Sequence, residues 1–316
     1  MKSVHLLSLC FGMIHATSRP IIGIFAHPTN IGEVIVASYV KWIESAGGQV
    51  VPIPYNASHA ILNTLFHSLN GILFPGGDTK INEKAEYLYA LALKANQEGE
   101  VFPVWGTCLG MEWLLQTTAG DTSVLDHNFD AMNLSLPLQL TPDAKQSRLL
   151  KQMPASLLHS MTNQNISLNN HFNGMAPETF YNHTALSTFY TVLAENKDRK
   201  GKRFISMIES KEFPIYGVQF HPEKNNYEWG TYPSGIPYEV IDHSKDAIAF
   251  SQYFATFFVD IARNSTHVFA SPGNLQDALI YNYQSYMIRW PEYVLTYVFP
   301  HDQLYRRTAT FSRIEG

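Results

Sequence analysis

The stretch "FPVWGTCLGMEWLL", Phe102 to Leu115, holds one of only two cysteines in a chain of 316 residues. It starts as an apolar run, passes through Gly106-Thr107-Cys108-Leu109-Gly110, and turns helical. Small residues two before and two after a nucleophile permit a tight strand-to-helix turn, which lifts the middle side chain above the carboxyl end of a sheet. Open α/β sheets bind their ligands at that end. The turn also sets the thiol at a helix N-terminus, whose positive dipole end favours thiolate, and leaves the Leu109 N–H free to hold an oxyanion. A buried structural cysteine beside a glycine turn is the competing reading, and the pentapeptide alone leaves both open.

Around this turn the pattern alternates. The segments "RPIIGIFA" (19–26), "QVVPIPY" (49–55), "GILFPGGD" (71–78) and "VFPVWGTC" (101–108) read as buried strands. Between them Ile35, Tyr39, Val40 and Ile43 recur at helical spacing, "ASHAILNTLFHSLN" (57–70) offers Ser58 as an N-cap, and "NEKAEYLYALALKANQEG" (82–99) is amphipathic. The helix after Cys108 closes at Gly120. Strands alternating with helices predict an α/β fold: a doubly wound, largely parallel sheet in three layers. Residues 121–202 read as short strands mixed with loops, strands return in "RFISMIES" and "IYGVQF", and residues 243–264 fit a long helix. The aromatic-rich extension 265–316 is expected to add strands to the same body, so residues 19–316 form one domain.

Composition excludes some classes. A net charge of −5 and a pI near 6.2 supply no basic stripe for nucleic acid. The first 18 residues run from Lys2 through an apolar stretch to Ala16 and Ser18, the order of a signal peptide, and nothing later is apolar enough to span a membrane. Asn-x-Ser/Thr occurs at Asn56, Asn133, Asn165, Asn182 and Asn264, which suits passage through the secretory route. Cleavage of the leader removes Cys10 and leaves Cys108 as a lone thiol.

A thiol nucleophile needs a base. "YGVQFHPE" (216–223) sets His221 directly after an apolar strand, with Glu223 two residues on, able to orient the imidazole and stabilise its cation. One histidine among 13 means little; one at a strand end followed by Pro-Glu means more. In "GILFPGGD" consecutive glycines let the backbone approach a substrate, and Gly77 could give a second oxyanion N–H, although Pro-Gly-Gly-Asp is also an ordinary turn.

The three pieces in this order resemble the class I glutamine amidotransferase-like superfamily of Cys-His-Glu hydrolases, with its flavodoxin-like sheet. "ASYVKWIESAGGQVVPIPY", "NGILFPGGD", "FPVWGTCLGMEWL" and "YGVQFHPEKNNYEW" are similar to the gamma-glutamyl hydrolases within it. The resemblance implies that Cys108 is the nucleophile, His221 the general base, Glu223 its support, and the N–H groups of Gly77 and Leu109 the oxyanion hole. It also implies that Glu112 faces the glutamyl end of the substrate; an ordinary helix surface residue is the other reading. His171, in "LNNHFNG", resembles a second substrate-side histidine, but Phe172 and Asn173 stand where basic and bulky residues are usual. Before "ASYVK", Glu33, Val34 and Ile35 replace the tyrosines common in relatives.

Motifs, leader and resemblance together predict a hydrolase of poly-γ-glutamyl folates, lysosomal or secreted, with no cofactor and no metal; the resemblance alone implies a homodimer, and the sequence leaves the oligomeric state open. Two alternatives remain: a glutaminase of the same superfamily, and a secreted binding protein that keeps the fold without catalysis. Whether cleavage is endo or exo is left open.

Overall fold

The computed structural model describes residues 17–287 and 292–299; most of the expected leader, Cys10 included, lies outside them. Strand β1 (Ile21–Phe25) leads into a hairpin of β2 (His27–Thr29) and β3 (Gly32–Val36). Helix α1 (Ala37–Ser45), β4 (Gln49–Ile53), α2 (His59–Phe66), β5 (Gly71–Phe74), α3 (Glu83–Gln97), β6 (Val104–Thr107) and α4 (Leu109–Ala119) follow. Ser58 Oγ accepts the Ile61 N–H, and Asn82 caps α3 by accepting from Lys84 and Ala85, so both helices start where a side-chain oxygen meets orphan N–H groups. Gly120, at φ 65°, ends α4 in the left-handed conformation.

The middle of the chain is more helical than its composition suggests. Strands β7 (Ala131–Leu136) and β8 (Gln139–Leu140) lead to α5 (Ala155–Asn163), β9 (Ser167–His171), α6 (Pro177–Asn182) and α7 (Thr184–Phe189). Strands β10 (Tyr190–Lys197), β11 (Arg203–Ser210) and β12 (Ile215–Val218) follow, then α8 (Lys224–Tyr227) and α9 (Lys245–Ala262). Helices α6 and α7 are six residues each, too short for a periodic signature to register.

The main sheet has the order β4-β1-β5-β6-β12-β11-β10-β8. From β4 to β12 every pairing is parallel, and from β12 to β8 every pairing is antiparallel. Its two faces carry separate cores. Leu73, Trp105, Tyr216 and Val218 pack under α1 and α9, where Phe250, Phe254 and Phe258 recur every four residues. Ile72, Phe74, Val104 and Ile215 face Leu62, Leu88 and Leu115 of α2, α3 and α4. Strand residues alternate between the faces with period two, which makes this the expected three-layer doubly wound fold.

One expectation changes. Ile35 belongs to β3, not to the helix, and its register opposite Tyr297 explains why. The C-terminal extension forms α10 (Pro272–Ala278), then β13 (Ser285–Tyr286) and β14 (Thr296–Phe299). β14 pairs antiparallel with β3, building a second sheet of order β13-β14-β3-β2. A partner this distant in sequence turns an apolar run into a strand whatever its local period.

The fold depends on close contact around the cysteine turn. A Cβ added at Gly110 would lie 2.0 Å from the Phe74 carbonyl oxygen, and one at Gly106 would lie 2.6 Å from the Gly110 carbonyl carbon. Those neighbours are backbone and cannot step aside. Gly110→Ala is therefore expected to lose at least about 3 kcal/mol in urea unfolding. Gly120→Ala, where a Cβ meets open space and only the positive φ is strained, is expected to lose about 1 kcal/mol. Equal losses would show that the steric contact is not what matters.

Candidate active site

Strands β6 and β12 run parallel with Gly106 beside Gly217 and Thr107 beside Val218. The Cys108 N–H then donates to the Val218 carbonyl at 2.7 Å, so the two chains leave the sheet side by side. Cys108 stands at φ 51°, ψ −109°, directly before α4. A non-glycine residue there is strained, a feature that collects at functional sites.

Three residues beyond Val218 lies His221, and its backbone N–H is tied to the Leu168 carbonyl at 2.8 Å. Its Nδ1 is 2.8 Å from Glu223 Oε1. A carboxylate only accepts, so Nδ1 carries a proton and Nε2 is the nitrogen left to act as a base. A methyl group built at Gly76 would be 2.6 Å from His221 Cε1 and 3.4 Å from Cys108 Cβ, so imidazole and cysteine flank one point. Cys108, His221 and Glu223 are all buried.

Burial pushes the Cys108 thiol up, the Glu112 carboxyl adds to this, and the Leu109 N–H pulls the other way. The N–H that the helix N-terminus supplies is thus opposed by desolvation and a neighbouring carboxyl.

A cleft of about 790 Å³ opens above these groups, lined among others by Gly77, Cys108, Leu109, Glu112 and His171. Glu112 is only 3% exposed, which removes its reading as a surface residue. Its Oε1 accepts from Gln219 Nε2 at 3.1 Å, and the same nitrogen lies 3.6 Å from Cys108 Sγ. Burial raises the Glu112 carboxyl to about 7. His171 Nδ1 donates to the Asn173 carbonyl at 2.7 Å, its Nε2 has no partner among the described residues, and burial lowers it to about 4.

Three residues joining this site have no motif of their own. Tyr39 Oη accepts the Gly76 N–H at 2.8 Å and lies 3.4 Å from His221 Nδ1, linking the glycine turn to the imidazole. His27 lies under the same turn: Thr79 Oγ1 is 2.9 Å from its Nδ1, its ring meets Trp113 edge-on, and burial lowers it to about 4. Gln219 was the findable one, since period two sets residues 219 and 221 on the same side of the chain.

The family described as peptidase C26 matches residues 20–223. The chain belongs to the peptidase C26 family. It is 41% identical over 279 residues to gamma-glutamyl hydrolase B of Dictyostelium discoideum, covering 84% of this chain and 78% of that one. It is 37% identical to gamma-glutamyl hydrolase of Rattus norvegicus, covering 84% of this chain and 85% of that one. For gamma-glutamyl hydrolase of Homo sapiens the identity is 36%, with 84% of each chain covered. Among solved structures, a glutamine amidotransferase from Thermotoga maritima is 11% identical at a TM-score of 0.38, covering 66% of this chain and 77% of that one.

Within this peptidase C26 chain, the departure at Glu33 has a structural use: the carboxyl is buried and its Oε2 accepts the Tyr55 N–H at 2.8 Å. Asn133 differs from the other sequon asparagines. Its Oδ1 accepts from the Val240 N–H at 2.7 Å and its Nδ2 donates to the Tyr238 carbonyl at 3.3 Å, while Asn56, Asn165, Asn182 and Asn264 are exposed.

Glu112 sets a pH dependence. A carboxyl raised from 4.5 to about 7 holds its proton more tightly in the folded protein. It therefore stabilises the fold below about pH 4.5, and that contribution is lost as pH rises toward 7, about 3 kcal/mol in all. The difference in unfolding free energy between Glu112→Gln and wild type is expected to shift by this amount, in favour of the variant, from pH 4 to pH 8. A pH-independent difference would show that Glu112 titrates normally.

Proposed function

We propose that the protein hydrolyses γ-glutamyl bonds in poly-γ-glutamyl folates through a γ-glutamyl thioester on Cys108. The observation that carries this is the meeting of a strained Cys108 and the His221–Glu223 pair at the ends of adjacent parallel strands, in a chain of the peptidase C26 family.

Substrate brings its γ-carbonyl into the cleft over Cys108. His221 Nε2 takes the thiol proton as sulfur attacks, which suits a thiol whose ionisation burial opposes. The Leu109 N–H, first of α4 and without an intrahelical partner, and the Gly77 N–H hold the oxyanion. Glu223 supports the imidazolium, which then protonates the departing amine. Water, activated by the same imidazole, releases the acyl group. Glu112 accepts a hydrogen bond from the nitrogen on the substrate's α-carbon, and His171 contributes its bare Nε2 to the cleft.

The working unit is residues 19–316, extension included, after loss of the leader. In support, the Val294 N–H of the extension donates to buried Glu228 at 2.6 Å, one helical turn past His221-Pro222-Glu223-Lys224. The leader and the four exposed sequons support a lysosomal or secreted glycoprotein; modification at Asn133 would first have to break its two side-chain hydrogen bonds. The family resemblance supports a homodimer.

The test is chromatography of the products from a folate pentaglutamate. Wild type is expected to release glutamate species and Cys108→Ala none, with Glu223→Gln lowering kcat by about 10²-fold or more. The product lengths report endo or exo cleavage. Hydrolysis of free glutamine with no action on the pentaglutamate would replace this reading with a glutaminase.

A further inference from the structure

The cleft has an apolar rim, and its geometry is built rather than incidental. β7 and β9 pair with Ala131 opposite His171, but the register slips between Ala131 and Leu134. Within the slip Asn133 stands at φ 48°. Such a bulge re-aims the neighbouring side chains, and it is over-represented beside active sites. Here it turns out Met132, which is 48% exposed.

The bulge is held from every side. The Asn133 N–H donates to Asn170 Oδ1 at 2.9 Å. Arg199 donates to the Met132 carbonyl at 2.9 Å and to the Asn133 carbonyl at 2.7 Å. Across the pairing, Phe172 follows His171 and is 54% exposed, its carbonyl accepting the Phe129 N–H at 3.0 Å. Met132 and Phe172 both line the cleft that holds Cys108.

A large aromatic and a thioether exposed on a braced frame within one cleft offer a surface for an apolar occupant. The two ends of a pteroyl poly-γ-glutamate differ: one is polyanionic, the other aromatic. The polyanionic end is not what this rim fits. The cleft's lysine, Lys80, follows the glycine turn on the other wall. The basic groups nearer the rim are committed: Arg199 to backbone carbonyls, and Lys202 to the Phe129 ring at 3.9 Å. An aryl ring, by contrast, gains from stacking on Phe172 and from contact with the Met132 sulfur.

We infer that Phe172 and Met132 bind the aryl group that caps the first glutamate, making the enzyme prefer aryl-capped over uncapped γ-glutamyl chains. This rests on the γ-glutamyl hydrolase reading above. The preference belongs to substrate binding, so it appears in KM more than in kcat.

The experiment compares γ-linked p-aminobenzoyl-diglutamate with N-acetyl-diglutamate, which has the same linkage and charge but no ring. The full chain is expected to favour the aryl substrate in kcat/KM by about tenfold. In Phe172→Ala and in Met132→Ala the ratio of the two kcat/KM values should fall toward one, and in Phe172→Trp it should persist. If wild type cleaves both substrates equally, or if both alanine variants keep the full ratio, the aryl site is wrong while the hydrolase reading stands. If wild type cleaves neither, the hydrolase reading falls and takes the aryl site with it.

Discussion

Helix α4 lies so close to β5 that a methyl group on Gly110 would come within 2.0 Å of the Phe74 carbonyl oxygen. This approach forces the chain to turn from β6 into α4 without an intervening loop, and Cys108 takes the positive φ that such a turn demands. The strain is held by the Cys108 N–H bond to Val218, which also fixes where β12 ends. His221 and Glu223 follow from β12, and the glycine turn after β5 closes the third side. One backbone contact thus sets the relative positions of three segments that are far apart in sequence.

Much of this could be read from the chain. The first four strand–helix units announce themselves because their strands are short apolar runs, and two of their helices have side-chain caps, at Ser58 and Asn82. The Gly-Thr-Cys-Leu-Gly turn and the His-Pro-Glu strand end were equally plain, since small residues and proline constrain backbone directly. What escaped depended on distant partners. Ile35 sits at helical spacing from Tyr39, yet β14 claims it as a strand residue. Tyr39 reads as core and turns out to bridge Gly76 and His221. His27 has no motif; only the packing of the glycine turn against it gives it meaning. The preference of a helix N-terminus for thiolate is opposed at Cys108 by burial, which sequence does not measure.

Behind the imidazole the structure invests in a buried polar frame. Lys224 Nζ lies 2.7 Å and 2.6 Å from the two oxygens of Glu239, and Asn170 Nδ2 donates to the same carboxyl at 2.9 Å. A buried pair of this kind adds little net stability, yet losing one partner strands the other charge. Its value is geometric, because Lys224 adjoins Glu223 and Asn170 adjoins His171. The frame therefore ties the segment that carries Glu223 to β9, and through Asn133 to the bulge.

The burial of Cys108 also bears on how its sulfur meets oxidants. Peroxides and disulfides react with thiolate, not with thiol. A sulfur that is 5% exposed, beside a carboxyl that disfavours its thiolate, is a slow target for both. Burial thus shields it with no partner cysteine among the described residues.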